Sequence, residues 1–211
     1  MRGIHEKMPL RSHKWTVIAL HGFNSNGEEF CQKMECGWQP HVRDHARLVF
    51  LTAPLRRISC YGNDWYRSWH NYYTSYGDDG VECEEEIDTN DLHETRQYVR
   101  NIVDIERRLT RHVILLGESQ GACCAIDAGM QLGVPVIALY GQRYVHTPLR
   151  ANSPIFAFWG GRDTVISPRL AMPSLKGATL THHTASACAH AETGPELWMF
   201  MNAALNSITS A

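Results

Sequence analysis

The sequence predicts an α/β fold with a mostly parallel central sheet flanked by helices. Short runs of apolar and β-branched residues alternate along the chain with longer stretches of helical periodicity. The short runs are dominated by apolar or β-branched residues, which is typical of strands buried on both faces. With 211 residues and 44% hydrophobic content, the chain can enclose one substantial core. We therefore expect a single domain over residues 1–211, of which residues 1–13 form an N-terminal extension.

The predicted elements follow one another in a regular order. The strand candidates are Thr16–Leu20, Arg47–Leu51, Val113–Leu116, Pro135–Leu139, Pro154–Trp159 and Thr179–Thr184. The helix candidates lie at about Gly27–Glu35, Asp91–Leu109, Gln120–Leu132 and Pro195–Ser207. The stretch from Asp88 to Asp91 contains a candidate N-terminal cap for the second of these helices.

One segment interrupts this alternation. Residues 56–88 read RRISCYGNDWYRSWHNYYTSYGDDGVECEEEID and are rich in aromatic, glycine and acidic residues. Connections of this length in compact domains are usually functional or disordered. Two interpretations remain open: a surface loop whose aromatic side chains cover a small satellite core, or a lid or cap that forms a wall of a binding pocket.

Charge and cysteine content restrict the class of protein. A net charge of -2 leaves no basic excess to neutralise a row of phosphates, so we expect no nucleic-acid partner. No segment is apolar over the length of a signal peptide or a membrane span. The seven cysteines are odd in number and scattered, which favours a reducing compartment. We expect a cytoplasmic location and no stable membrane insertion.

The stretch HVILLGESQGACCAIDAGM carries the strongest chemical signal. An apolar strand ends at Gly117, and a helix begins after Gly121, with Ser119 between the two glycines. A serine on such a sharp strand-to-helix turn is strained and exposed, and its neighbours must lack side chains to avoid collision. A turn without chemistry is the alternative interpretation. We predict that Ser119 is a nucleophile.

A nucleophilic serine needs a histidine base and an acid that orients the histidine. When the serine lies on a strand-to-helix turn, the acid and then the histidine follow it in the chain. Asp163 comes after a predicted strand, whereas Asp127 lies inside a predicted helix. His190 lies in the loop before the last helix. Asp163 could instead cap a turn, and His190 could be a solvated loop residue.

Two other uses of the histidines are possible on sequence alone. His182 or His183 could replace His190 as the base, although both lie within a predicted strand. The group His182, His183, Cys188 and His190 could also bind a metal, but no second ligand pair occurs at zinc-finger spacing. We expect neither a metal nor a cofactor.

Charge on the reacting oxygen also needs stabilising donors. In strand-to-helix serine sites, these are the backbone N–H after the nucleophile and an N–H from a loop after an early strand. The sequence VIALHGFNSNGEEF supplies such a loop, so the N–H groups of Phe23 and Gln120 are the predicted oxyanion hole. His21 is expected to stabilise this loop rather than react.

The motifs ALHGFNSNG, LLGESQGA, FWGGRDTVIS and CAHAE, in that order, resemble the phospholipase/carboxylesterase family of α/β-hydrolases, which includes acyl-protein thioesterases. The similarity spans Lys14 to the C terminus. It implies an α/β-hydrolase fold and hydrolysis of carboxylic esters or thioesters through an acyl-enzyme. Matched by motif, Ser119 is the nucleophile, Asp163 the acid and His190 the base, and Phe23 and Gln120 supply the oxyanion donors.

The chain also departs from the family pattern. Glu118 replaces a residue that is often apolar, Ala122 replaces a glycine, and the stretch between Asp163 and His190 is short. The aromatic segment differs from an aliphatic acyl groove, and we predict substrate contacts from Trp65, Trp69 and Tyr72.

The expected substrate is a small ester or thioester, with an acylated protein as an alternative. Arginines 56, 57 and 67 favour a short or partly polar, anionic acyl group. The alternative function is a hydrolase scaffold that binds a small ligand with slow or absent turnover.

Overall fold

A computed structural model describes residues 3–74, 86–150 and 153–210 of the chain. Seven strands form one sheet in the order β1-β3-β2-β6-β7-β8-β9, and β4 and β5 form a separate hairpin. The strands are β1 (Gly3–Lys7), β2 (Trp15–Leu20), β3 (Ala46–Thr52), β4 (Leu55–Ile58), β5 (Asp64–Arg67), β6 (His112–Glu118), β7 (Val136–Leu139), β8 (Ile155–Gly160) and β9 (Leu180–Ala185). In the large sheet, β1 runs antiparallel to β3 and every other pairing is parallel.

Helices cover both faces of the sheet. They are α1 (Gly27–Met34), α2 (Pro40–His45), α3 (Thr89–Glu106), α4 (Gln120–Leu132), α5 (Pro168–Ser174) and α6 (Pro195–Thr209). On β2, Ile18 packs into the core beneath α3 and α4, whereas Val17 packs into the core beneath α1 and α6. Both cores are apolar because successive residues of a doubly covered strand face opposite helices. None of the helices in the described stretches is long and apolar enough to cross a bilayer.

The predicted mostly parallel sheet with flanking helices is confirmed. All six predicted strands and all four predicted helices are present, with ends shifted by at most a few residues. Within the described residues, five of the strands and helices named above were not predicted: β1, the hairpin strands β4 and β5, and the helices α2 and α5. Strand β1 lies within the predicted N-terminal extension and pairs along β3. Its sequence, GIHEK, has few apolar residues because it forms a partly exposed edge, so hydrophobic patterning alone did not reveal it.

The aromatic segment at 56–88 is described only in part, because residues 75–85 lie outside the described residues. Its first part forms the β4–β5 hairpin, and a single bridge joins Tyr72 to Ile87. At its end, the side chain of Asp88 accepts hydrogen bonds from the backbone N–H groups of Asn90 and Asp91, which caps α3 as the sequence indicated.

Candidate active site

Ser119 occupies a strained turn between β6 and α4. Its backbone angles are φ 53° and ψ -122°, a conformation that costs energy for any residue with a side chain. A Cβ atom on Gly117 would lie 2.3 Å from the carbonyl oxygen of Gly121. The turn is therefore closed only because both neighbours at this spacing are glycine, and it directs the serine side chain away from the sheet.

A continuous chain of hydrogen bonds runs from Ser119 through His190 to Asp163. The Nε2 atom of His190 lies 2.8 Å from Ser119 Oγ, and its Nδ1 atom lies 2.7 Å from Asp163 Oδ2. The carboxylate can only accept a hydrogen bond, so Nδ1 carries the proton that points to it. Nε2 is then free to accept the serine hydroxyl proton, as a general base requires.

Two backbone donors fix the Asp163 carboxylate just beyond β8. Its Oδ1 atom accepts from the N–H groups of Val165 and Ile166, each at 2.8 Å, and its side chain is fully buried. One oxygen is thus bound to the following turn, and the other faces His190. This division of the two oxygens explains why the carboxylate holds a single orientation.

The loop that carries His190 is held against β8 by a close backbone approach. A Cβ on Gly160 would lie 2.5 Å from the carbonyl oxygen of Cys188, so any larger residue there would push this loop away. The ring of Tyr140 packs edge-on against the His190 ring, with centroids 5.7 Å apart. The Tyr140 hydroxyl donates to the carbonyl of Glu192, which anchors the other side of the loop. Tyr140 carries no motif, and the sequence did not indicate this contact.

The loop after β2 brings Phe23 to the cavity that contains Ser119. His21 orders this loop: its Nδ1 atom donates to the Gly22 carbonyl at 2.6 Å, and its Nε2 atom accepts from the Ala53 N–H at 3.0 Å. Burial lowers the pKa of His21 to about 4, so the ring is neutral, as both hydrogen bonds require. Because a trans peptide is planar, fixing the Gly22 carbonyl turns the Phe23 N–H the opposite way.

Within the described residues, neither the Phe23 nor the Gln120 backbone N–H donates to a backbone acceptor. The Gln120 side chain has a different role. Its Oε1 atom accepts from the Trp69 N–H at 3.0 Å, and its Nε2 atom donates to the carbonyl of His70 at 3.2 Å. The residue after the serine therefore links α4 to the aromatic segment through its side chain, while its backbone N–H stays available.

A cavity of about 460 Å³ opens beside Ser119. One part of its wall is aromatic or apolar, and another part carries charged groups close to the nucleophile. The lining residues are Gly22, Phe23, Ser25, Glu29, Phe30, Lys33, Tyr61, Tyr72, Glu118, Ser119, Val165, His190 and Ala191. The arrangement can therefore hold a mainly apolar group with a polar end near the serine.

The predicted aromatic contacts are divided by the structure. Tyr72 lines the cavity, but Trp65 is 60% exposed and is not among the lining residues. Trp69 is completely buried, and its indole N–H donates to the His21 carbonyl at 2.8 Å. Trp69 thus supports the loop after β2 from inside the core and cannot touch a substrate. Its position in a turn-rich aromatic segment gave no sign of this burial.

The arginines of the aromatic segment also lie away from the cavity. Arg56 pairs with Asp91 and with Glu94, and the guanidinium of Arg57 lies over the Trp65 ring with 5.3 Å to its centroid. Arg67 donates to the Ala53 carbonyl at 3.1 Å. The expectation that these side chains pair with an anionic substrate is therefore not supported.

Histidines 182 and 183 do not join the site. They extend from opposite faces of β9, with His182 packing on the Trp159 ring and His183 on the Phe158 ring. In the part of the chain that the structure describes, no three histidine, cysteine, aspartate or glutamate side chains converge as metal ligands. The ring of His190 is instead engaged by Ser119 and Asp163.

Several solved structures share this architecture. An acyl-protein thioesterase 2 from Zea mays superposes with a TM-score of 0.78 at 20% identity, covering 96% of this chain and 99% of that one. SOBER1 from Arabidopsis thaliana gives 0.74 at 20% identity, covering 91% and 99%. A Bacillus cereus carboxylesterase gives 0.72 at 15% identity, covering 98% and 95%. No curated protein sequence matches the chain significantly.

The sheet order and the serine turn define an α/β-hydrolase, the fold that the sequence motifs implied. The sequence pattern of the family described as serine hydrolase (FSH1) matches residues 10–132. The chain therefore belongs to the FSH1 serine hydrolase family. The predicted resemblance to the group that contains carboxylesterases and acyl-protein thioesterases is confirmed at this level.

Proposed function

We propose that this protein hydrolyses carboxylic esters or thioesters through an acyl-enzyme, with Ser119, His190 and Asp163 as a catalytic triad. The observation that supports this proposal most directly is the unbroken hydrogen-bond chain from Ser119 Oγ to Asp163, at 2.8 and 2.7 Å. It connects a strained, cavity-facing hydroxyl to a base of defined tautomer.

In the acylation step, Ser119 Oγ attacks the acyl carbon while its proton passes to Nε2 of His190. The carbonyl π electrons move onto oxygen, and the N–H groups of Phe23 and Gln120 stabilise this oxyanion. The intermediate collapses by breaking the bond to the leaving alcohol or thiol, which takes the proton from His190. Asp163 stabilises the imidazolium that exists between these two transfers.

Deacylation repeats the sequence with water. His190 accepts a proton from the water as its oxygen attacks the acyl carbon, and the same two N–H groups stabilise the second oxyanion. The bond to Ser119 Oγ then breaks and the serine recovers its proton from His190, which releases the carboxylic acid. Every proton transfer in this cycle uses a group of the chain itself.

The cavity supports a short acyl or partly polar substrate. Phe23, Tyr61 and Tyr72 offer ring surface, whereas Lys33 and Glu118 place charge on the wall beside the serine. A long alkyl chain along this wall would have to desolvate Lys33, whose side chain is 31% exposed, and this is costly. We therefore propose a small ester or thioester as the substrate, without the guanidinium pairing that the arginines of the sequence suggested.

A reducing compartment is consistent with the cysteines. No disulfide joins any two of the six cysteines within the described residues, although Cys123 and Cys124 are adjacent in α4. Scattered cysteines that do not pair with one another are typical of a reducing compartment, and this supports the proposed cytoplasmic location.

The central experiment measures both turnover and covalent labelling. Ser119→Ala should lower kcat for p-nitrophenyl butyrate by at least about 10³-fold, and a fluorophosphonate probe should label Ser119 in the unaltered protein. His190→Ala should match this loss, and His183→Ala serves as the control. Loss of activity in His183→Ala but not in His190→Ala would show that His190 is not the base. An unlabelled protein that still binds the ester would support the binding-scaffold alternative.

A further inference from the structure

Glu118 places a carboxylate in an unusual position, directly before the candidate nucleophile. It is the last residue of β6, and its side chain is only 8% exposed. Burying a carboxylate without a partner is costly, and burial raises the pKa of this group. A buried acid at this point of the fold therefore requires a specific partner.

That partner is Lys33, which reaches the site from the last turn of α1. Its Nζ atom lies 2.6 Å from Glu118 Oε1 and 3.0 Å from the carbonyl oxygen of Ala191. These two acceptors lie 85 and 158 residues away from Lys33 in the sequence. One ammonium group thus connects α1, the serine turn and the histidine loop.

The contact with Ala191 lies where the histidine loop is strained. Ala191 directly follows His190 and has a φ of 58°, in the left-handed region that residues with a Cβ rarely adopt. Such a conformation persists only where the surroundings enforce it. The carbonyl that Lys33 binds belongs to this strained residue, so the contact acts on the backbone that orients His190.

We propose that Lys33 is a positioning residue for the reaction: its ammonium group ties the buried carboxylate of Glu118 to the Ala191 carbonyl and so holds the His190 ring in register with Ser119. This inference rests on the proposed function, because it assigns His190 as the base. The Lys33 ammonium itself exchanges no proton with the substrate. Its effect reaches the reacting atoms through the distance between Nε2 and Oγ.

Two kinetic readouts distinguish this role from a direct contact with the substrate. Lys33 also lines the cavity, so a substrate contact would change KM. A positioning role acts instead on the reactivity of Ser119, because a displacement of about 1 Å in a catalytic group can cost about 10²-fold in rate. The reaction of Ser119 with a small fluorophosphonate therefore reports positioning directly, since this probe depends on the Ser119–His190 contact and uses little of the cavity.

The test compares Lys33→Met with Lys33→Arg in the full chain. We expect Lys33→Met to lower the rate of fluorophosphonate labelling and the kcat for p-nitrophenyl butyrate in parallel, by about 10- to 100-fold, with little change in KM. Arginine retains the charge and can donate to both acceptors, so Lys33→Arg should restore most of the rate. Lys7→Met is the matched control, because Lys7 forms a 2.7 Å exposed ion pair with Glu35 and neither residue lines the cavity.

Lys33→Met leaves Glu118 buried without a cation and can impair folding. A second variant, Lys33→Met combined with Glu118→Leu, removes both charges and should show the same fall in labelling with a retained circular dichroism spectrum and Tm. Normal labelling in this folded double variant, or a change in KM alone, would overturn the positioning role. Retention of activity by Ser119→Ala would instead overturn the proposed function itself.

Discussion

Gly121 lies against the carbonyl oxygen of Leu20 so closely that a Cβ atom at Gly121 would be 2.2 Å from that oxygen. The start of α4 therefore packs directly on the end of β2. This contact fixes the serine turn next to the loop that carries Phe23. It therefore helps to set the relative positions of the two proposed oxyanion donors, the N–H groups of Phe23 and Gln120.

We expect Gly121→Ala to destabilise the protein by about 2–3 kcal/mol and to remove most of the activity. The added methyl group meets backbone atoms, which cannot move away as a flexible side chain can. Urea unfolding and ester hydrolysis measure the two effects. Gly194→Ala is the control, because a Cβ there meets nothing within 4 Å. Equal stability of the two variants would show that the β2–α4 contact can relax.

Asp163→Asn should separate activity from stability. The Val165 and Ile166 N–H groups keep an oxygen acceptor in this variant, so the fold is retained. The amide NH2 then faces His190 Nδ1 and favours the wrong imidazole tautomer, which should lower kcat by about 10³- to 10⁴-fold. Asp163→Ala also leaves the two N–H groups unpaired, so its free energy of unfolding should fall by about 1–3 kcal/mol for each group. A stable and active Asp163→Asn variant would contradict the proposed role of Asp163.

Two buried histidines should make the protein acid-sensitive. Burial lowers the pKa of His21 and of His70 to about 4, below the value of about 6.5 expected in the unfolded chain. The unfolded state therefore binds more protons as the pH falls from 6.5 to 4, and each histidine lowers the free energy of unfolding by about 2 kcal/mol between pH 7 and pH 5.

Urea unfolding at these two pH values tests this dependence. His21→Gln and His70→Gln should each reduce the difference between pH 7 and pH 5 by about 2 kcal/mol, because glutamine does not titrate. The exposed His93, changed to glutamine, is the control. An unchanged pH dependence in both variants would mean that other groups dominate acid unfolding.

The charged groups on the cavity wall should limit the length of the acyl chain that the protein accepts. We expect kcat/KM for p-nitrophenyl esters and matched thioesters to peak at a short acyl group, because Lys33 and Glu118 lie on the wall beside the serine. A series from two to sixteen carbons, measured below its solubility limits, gives the profile. A maximum at sixteen carbons would contradict the short-acyl proposal and favour a groove for lipid chains.

The sequence alone determined the fold class and the order of the main elements. Strands β2, β7 and β8 are buried along their whole length and read as apolar runs, and this pattern is visible without any knowledge of pairing. Strand β9 is largely exposed and was indicated by its β-branched residues instead. The glycines around Ser119 indicated the turn, because only a residue without a Cβ allows the backbone to approach so closely, and glycine is visible in the sequence. Ser119, Asp163 and His190 could be proposed from their places in the chain. Ser119 and Asp163 each follow a recognisable strand, and His190 lies after both of them, in the loop before the last helix.

Only the tertiary structure decided which side chains meet. Trp65 and Trp69 are four residues apart in the same aromatic segment, yet Trp65 is largely exposed, whereas Trp69 is fully buried against His21. Lys33 carries no motif, and its contacts with Glu118 and Ala191 join parts of the chain that are distant in sequence. A sequence pattern reflects interactions between residues that are close in the chain. These contacts instead join residues that are distant in the chain, so they depend on how the helices, strands and loops pack together in space.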